Sequence, residues 1–322
     1  MTRTLISDLA DGQTVEQAFR TADKQLRVNR QGGKYLFVRL SDRSGAIVTM
    51  MWNADEAVFD AFDRGDYVYC HGRTQIHNGQ LQIIATRLDR MDPAEIDASD
   101  FDAYDSDQAD VLLARLRDLL GSLECPDLRS LAKAYLNDDP FMAGFQRAAA
   151  AVNNHHAYPG GLLQHTVDLM ELARLVAPRY PRINAELVLV GAFLHDSGKV
   201  EELSHEGEIH YSDAGQLLGH IVLGLEQLQR MVQVVDAERE HAFPKELLLH
   251  LQHLILSHHG QLDYGSPKVP MSLEAVLLHH LDNMDAKMAA FGSLIDADVS
   301  GDAKWTNYIP SIGRKLWKGG AA

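Results

Sequence analysis

The chain has 322 residues, 46% hydrophobic and 23% charged, an ordinary globular composition with room for two cores. Its 30 Lys/Arg against 45 Asp/Glu give a net charge of −15, which disfavours tight non-specific binding to duplex nucleic acid. There is no apolar run of about 18 residues and the opening MTRTLISDLADGQ has no apolar signal core, so neither a membrane span nor export is expected. Cys70 and Cys125 fall in segments of different pattern, so a disulfide framework is not expected and the cytoplasm is the default location.

The charge is uneven. Residues 1–95 hold 12 basic and 13 acidic residues, a balance of −1, and the remainder holds 18 against 32, a balance of −14. The near-neutral part reads as short strands. In KYLFVRL, Leu36, Val38 and Leu40 share one face and Tyr35, Phe37 and Arg39 the other. AIVTMMW follows a DRSG turn, then FDAFDRG, which suits a short helix. DYVYCHGRTQI and QLQIIATRL flank Asn78-Gly79, a type I′ hairpin signal, and place Tyr67, Tyr69 and His71 on one face. Five strands in about 80 residues suit a small closed barrel of the OB type. Aromatic rings beside arginine on its surface would suit stacking on unpaired bases; rings turned inward would simply fill the barrel.

Residues 92–110 carry eight acidic residues and no basic one, which suggests a solvated spacer. Beyond it the periodicity is helical, with no internal repeat. The expected architecture is therefore multidomain α+β: an OB-like barrel over 1–95, an acidic linker over 96–110, a helical bundle over 111–300, and a basic, aromatic tail over 301–322. The tail, with Trp305, Tyr308, Arg314, Lys315, Trp317 and Lys318, can bind RNA or cover the helical core.

Fourteen of the 16 histidines lie between His155 and His280, inside the helical part. His195-Asp196 ends the apolar helix ELVLVGAFL, where a polar pair needs a partner. His165, His220, His258-His259 and Asp282 follow on successive helices. A lone histidine such as His220 in LLGHIVLG is ordinarily a core residue; several around one His-Asp pair point to a metal. Imidazole and carboxylate suit Mn, Fe, Co, Ni or Zn. The spacing suggests two ions, one on His165, His195, Asp196 and Asp282, the other on Asp196, His220 and His258, with or without His259. Asp196 is the natural bridge, because a carboxylate has two oxygens. Lys199, one turn on, can hold a phosphate as a point charge, with Gly198 leaving room for its approach. His250 and His253 read as packing or surface residues, and Asp285 as an orienter of a ligand. In NHHAYPGG, Tyr158 can stack on a terminal base and His156 meet a phosphate, or the segment can be a plain helix connection. Phosphoester hydrolysis by metal-activated hydroxide is the expected chemistry. No G-x-S-x-G or P-loop motif offers another route.

The pattern H…HD…D with HDxGK resembles the HD superfamily of metal-dependent phosphohydrolases, and His220 and His258-His259 resemble its dinuclear branch. The order of barrel, linker, NHHAYPGGLLQHT, FLHDSGK, GQLLGHIVLG, LILSHHGQLDYGSP and LEAVLLHHLDNMDAKM resembles the YhaM-type 3′-to-5′ exoribonucleases along nearly the whole chain. The resemblance implies an N-terminal OB domain, a C-terminal HD domain, two divalent cations with manganese foremost, and hydrolysis of single-stranded RNA to nucleoside 5′-monophosphates. Single-stranded DNA is a further candidate substrate, and a homo-oligomer a candidate assembly. It does not require His279 or His280 as ligands. HHGQLDYGSP lacks the GYP of cyclic-dinucleotide phosphodiesterases. Two other readings stand beside it: an HD-type nucleotide or cyclic-nucleotide phosphohydrolase, and a non-catalytic nucleic-acid-binding regulator.

Overall fold

The computed structural model describes residues 3–29, 32–77, 79–101, 104–152, 158–204, 209–296, 298 and 304–319. The chain divides into two compact units, residues 1–103 with 291–322, and residues 104–290.

In the first unit, β1 (Thr14–Val28), β2 (Lys34–Asp42), β3 (Gly45–Trp52), β4 (Tyr67–His77) and β5 (Gln80–Arg90) close a barrel in the order β1-β2-β3-β5-β4. Only the β3–β5 pair is parallel. Short α1 (Glu56–Asp60), capped by Asp55, lies between β3 and β4, but earlier than expected: FDAFDRG supplies only its end, Phe59 and Asp60, and then the turn into β4. The strand alternation sets what lines the interior: Phe19, Leu36, Val38, Leu40, Val68, Cys70 and Ile83 are fully buried, and the alternate residues of β2 face outward. Gly72 of β4 sits opposite a bulge in β5 at Thr86, where a Cβ would run into the β5 backbone at Ile84 and Ala85. His77 pairs with Gln80, and Gly79 has φ +79°, as a two-residue hairpin demands. Asn78 lies outside the described residues.

The second unit is helical: α2 (Ser106–Gly121), α3 (Pro126–Leu136), α4 (Asp139–Arg147), α5 (Gly161–Val176), α6 (Ala185–Leu194), α7 (Lys199–Glu202), α8 (Asp213–Ala237), α9 (Lys245–Ser257) and most of α10 (Leu273–Asp296). Helix α6 is apolar on every side, and Leu187–Leu194 are all buried, which makes it the central rod. Gly191 lets Leu254 of α9 and Leu278 of α10 press against its backbone. Tyr135, Phe141, Phe145 and Phe193 pack ring against ring at its flank, with centroids 5.1–5.7 Å apart.

Two expected boundaries move. The acidic stretch is not a free linker over 96–110. Its carboxylates serve turns and caps, Asp97 accepting from Ser99 N–H and Asp105 capping α2. Asp100 pairs with Arg3, and Phe101 packs edge-on against Tyr67 of the barrel. The tail groups with the barrel and not with the helical core, and α10 runs on past residue 290 into that unit.

Candidate metal centre

The end of the central helix α6 delivers His195 and Asp196 into the interior of the helical unit, where both are buried. Four other helices aim donors at the same place: α5 brings His165, α8 His220, α9 His258 and His259 at its end, and α10 Asp282. Two groups form. In the first, His165 Nε2 lies 3.2 Å from His195 Nε2 and 3.3 Å from Asp282 Oδ1, and Asp196 Oδ2 lies 3.2 Å from His195 Nε2. In the second, Nε2 of His220 and of His258 lie 3.5 and 3.6 Å from Asp196 Oδ1, and His259 completes the group. One carboxylate therefore turns its two oxygens to two sets of imidazoles.

Each of the five rings is oriented through its other nitrogen. His195 Nδ1 donates to Ala192 O (2.8 Å), His258 Nδ1 to Ile255 O (2.7 Å) and His259 Nδ1 to Tyr264 O (2.9 Å). His165 Nδ1 donates to Asp285 Oδ2 at 2.8 Å, and His220 Nδ1 to Glu202 Oε1 at 3.1 Å. In a neutral ring so held, Nε2 carries a lone pair and no proton. The buried Nε2 atoms of His220 and His258 and Oδ1 of Asp196 have no hydrogen-bond partner. Buried acceptors facing one another without a donor are costly unless a cation lies between them. Two donors each about 2.1 Å from one ion are about 3.0–3.4 Å apart, close to the separations seen. The residues present fit divalent cations.

The electrostatics of the two groups differ. Burial alone would lower the His165 pKa, but Asp282 and Asp285 outweigh it and raise the imidazole to about 9. Burial and the neighbouring His195 hold His258 well below the ordinary range, and burial and His220 lower His259. Asp196 is held far down despite burial, by Lys199 first and then His195 and His220. Lys199 Nζ donates to Asp196 Oδ2 at 2.6 Å, and that carboxylate raises its pKa against the pull of burial.

Glu202 escaped the sequence reading. It is buried and accepts from both His220 N–H (2.9 Å) and His220 Nδ1. Helix α8 breaks at Gly219 (φ +75°, ψ 159°), so it restarts at His220 and exposes an amide for Glu202 to cap. A glycine inside an apolar helical pattern was the available signal. Gly198 corrects another expectation. It does not admit a phosphate, because its missing Cβ leaves room for the α8 backbone, and a side chain there would collide with His220 O and Gly224 N. His253 Nε2 accepts from Met271 N–H and His279 Nδ1 donates to His258 O, so both brace the loop around α9. Tyr158, 39% exposed, has its hydroxyl pKa raised by burial and then by the charges of Asp168 and Asp285. His156 lies outside the described residues.

A family model for the OB-fold nucleic acid binding domain matches residues 20–90, and one for the HD domain matches residues 162–287. The chain is 31% identical over 281 residues to the 3′-5′ exoribonuclease YhaM of Bacillus velezensis, an alignment covering 86% of both proteins. It is 30% identical over 278 residues to the YhaM of Bacillus subtilis, again over 86% of each. The chain belongs to the YhaM family. Its HD match spans every donor named above, from His165 to Asp282, together with Glu202 and Asp285.

The barrel of this YhaM-family chain carries a second candidate site on the outer face of β2 and β3. Tyr35 pairs with Trp52 across the strands, with rings 5.1 Å apart, and Arg27 stacks over Phe37 at 3.9 Å. Arg39 is exposed on the same face. Trp52 is 47% exposed and was not singled out from the sequence. It lies seventeen positions after Tyr35, and only the β2–β3 register makes them neighbours.

Proposed function

We propose that this chain is a metal-dependent 3′-to-5′ exoribonuclease that captures single-stranded RNA on its barrel and hydrolyses it at the histidine-aspartate centre. One observation carries the chemistry: Asp196 directs Oδ1 and Oδ2 to separate groups of imidazole Nε2 atoms. The identity of the relatives carries the substrate. Divalent cations held there, two of them with manganese foremost, supply Lewis-acid activation of water for in-line attack on phosphorus.

The chain's own residues do the rest. His165, His195 and Asp282 would hold one ion and His220, His258 and His259 the other, with Asp196 shared between them. Asp285 and Glu202 fix the His165 and His220 rings so that Nε2 points inward. Lys199 keeps its charge at Asp196 and offers it to the phosphate. Tyr158, exposed just ahead of α5, which carries His165, would stack on the 3′-terminal base, and Tyr35, Phe37, Arg39 and Trp52 would hold upstream bases and phosphates. Single-stranded DNA can use the same stacking surface. A purely mononucleotide enzyme or a non-catalytic regulator is not favoured, given the complete ligand set and an aromatic platform outside the centre.

The test is a gel assay with metal-stripped protein re-supplied with manganese and 5′-labelled single-stranded RNA. Shortening from the 3′ end is expected, with none by Asp196→Ala and none on a 3′-phosphate-blocked strand. Bound but intact RNA with every metal tried would reject the nuclease reading.

A further inference from the structure

The segment after residue 303 lies outside both family matches, and neither the metal centre nor the barrel platform uses it. It folds as a hairpin. Thr306 N–H donates to Leu316 O (2.9 Å), Ile309 N–H to Arg314 O (3.0 Å) and Lys318 N–H to Lys304 O (3.0 Å). Thr306 and Leu316 are buried and anchor it. Trp305 and Trp317 meet edge to face at 5.0 Å, yet remain 50% and 49% exposed, and Tyr308 is exposed as well. A ring pair recruited only to fill space would turn that surface inward. The hairpin has four basic residues and no acidic one between 304 and 319, in a chain of net charge −15. Lys318 is engaged by Asp298; Lys304 sits 5.9 Å from the Trp317 ring centre, and Lys304, Arg314 and Lys315 are exposed.

Its position supplies a second argument. In OB barrels the β2–β3 face is flanked by the loops joining strands 1–2 and 4–5, which extend the nucleic-acid surface. Here the 4–5 connection is a two-residue turn, too short to reach anything. The hairpin stands at that turn: a Cβ on Gly79 would collide with the Asn307 side chain. Register leads from Tyr35–Trp52 through Phe37–Met50 to Arg39–Val48, and Val48 pairs with Gln82, three residues past Gly79.

We propose that the 304–318 hairpin is a second contact for single-stranded RNA, standing in for the missing 4–5 loop. Trp305, Trp317 and Tyr308 offer ring faces to bases, and Lys304, Arg314 and Lys315 meet phosphates. The proposal rests on the exoribonuclease reading and extends it. Rings and cations together select an unpaired polyanion: a duplex hides its bases, and an acidic peptide has no bases to stack.

The test uses the full-length, metal-stripped protein and a homopolymeric single-stranded RNA. Lys304→Ala/Arg314→Ala/Lys315→Ala is expected to weaken binding about tenfold and to shrink the slope of log K against log salt by about 2. Re-supplied with manganese, the same variant should hydrolyse bis(p-nitrophenyl) phosphate like the wild type, because that substrate is too small to need the hairpin. Of the three tryptophans only Trp305 and Trp317 remain in Trp52→Phe, so its fluorescence should be quenched by RNA. If the triple variant melts early, the quench alone decides. Unchanged affinity and salt slope, or fluorescence indifferent to bound RNA, overturn the proposal while wild-type binding and cleavage leave the nuclease reading intact. A wild type that neither binds nor cleaves the strand overturns both.

Discussion

The two halves of the metal centre are built from different chemistry around one shared residue. The first half, His165, His195 and Asp282, is rich in carboxylate, with Asp285 behind it. The second, His220, His258 and His259, is all imidazole, and the carboxylate of Glu202 is bonded to the far side of a ring. Surplus negative charge in the first half draws a proton to His165, whereas His258 is pushed toward neutrality by burial and His195, and His259 by burial and His220. Cation and proton therefore compete at the first half and hardly at all at the second.

The most severe break in this comparison is at the residue common to both. Asp196→Ala should remove both ions and bring turnover to background, read as metal content per chain and as RNA cleavage. His165→Ala and His258→Ala should each cost one equivalent; loss of both from either change would mean the halves are not separable.

Next is pH. His165 has a folded pKa raised above its unfolded value, so its charged form stabilises the metal-free protein fully below about 6.5, and that contribution disappears as pH rises through about 9. A cation must displace this proton. Affinity at the first half should thus rise roughly 50-fold between pH 7 and 9, and more steeply than that of the second half. Metal titration of His258→Ala and His165→Ala, each retaining one half, checks this, and equal pH slopes would contradict it.

Glu202→Gln should weaken metal binding at the second half alone by about 10–100-fold. Asp285→Asn should do the same at the first, and calorimetry on the single-site variants separates them. The smallest effect lies in the barrel. Trp52→Ala should loosen single-stranded RNA about 5- to 30-fold, as expected for one lost stacked base, without changing metal content.

The clustering of the donors was legible because chemistry is conspicuous in sequence: histidines and aspartates at the ends or on the faces of otherwise apolar helices have few other uses. The strand alternation of KYLFVRL fixed which residues line the barrel for the same reason, as period two admits only one inward set. Glu202 and Trp52 were not legible. Glu202 is one of several acidic residues near the HDSGK run, and its role exists only because α8 breaks at Gly219 and offers a free amide. The role assumed for Gly198 failed on the same ground, since nothing local shows that another helix backbone lies against it.

Composition, periodicity and donor types thus determined a barrel, a helical bundle and a metal chemistry, because each is written in the order of residues along one element. The tertiary structure decided which oxygen of Asp196 serves which imidazoles, that the acidic stretch caps and turns, and that the basic tail folds onto the barrel unit. Those facts depend on distances between residues far apart in the chain, and packing alone sets such distances.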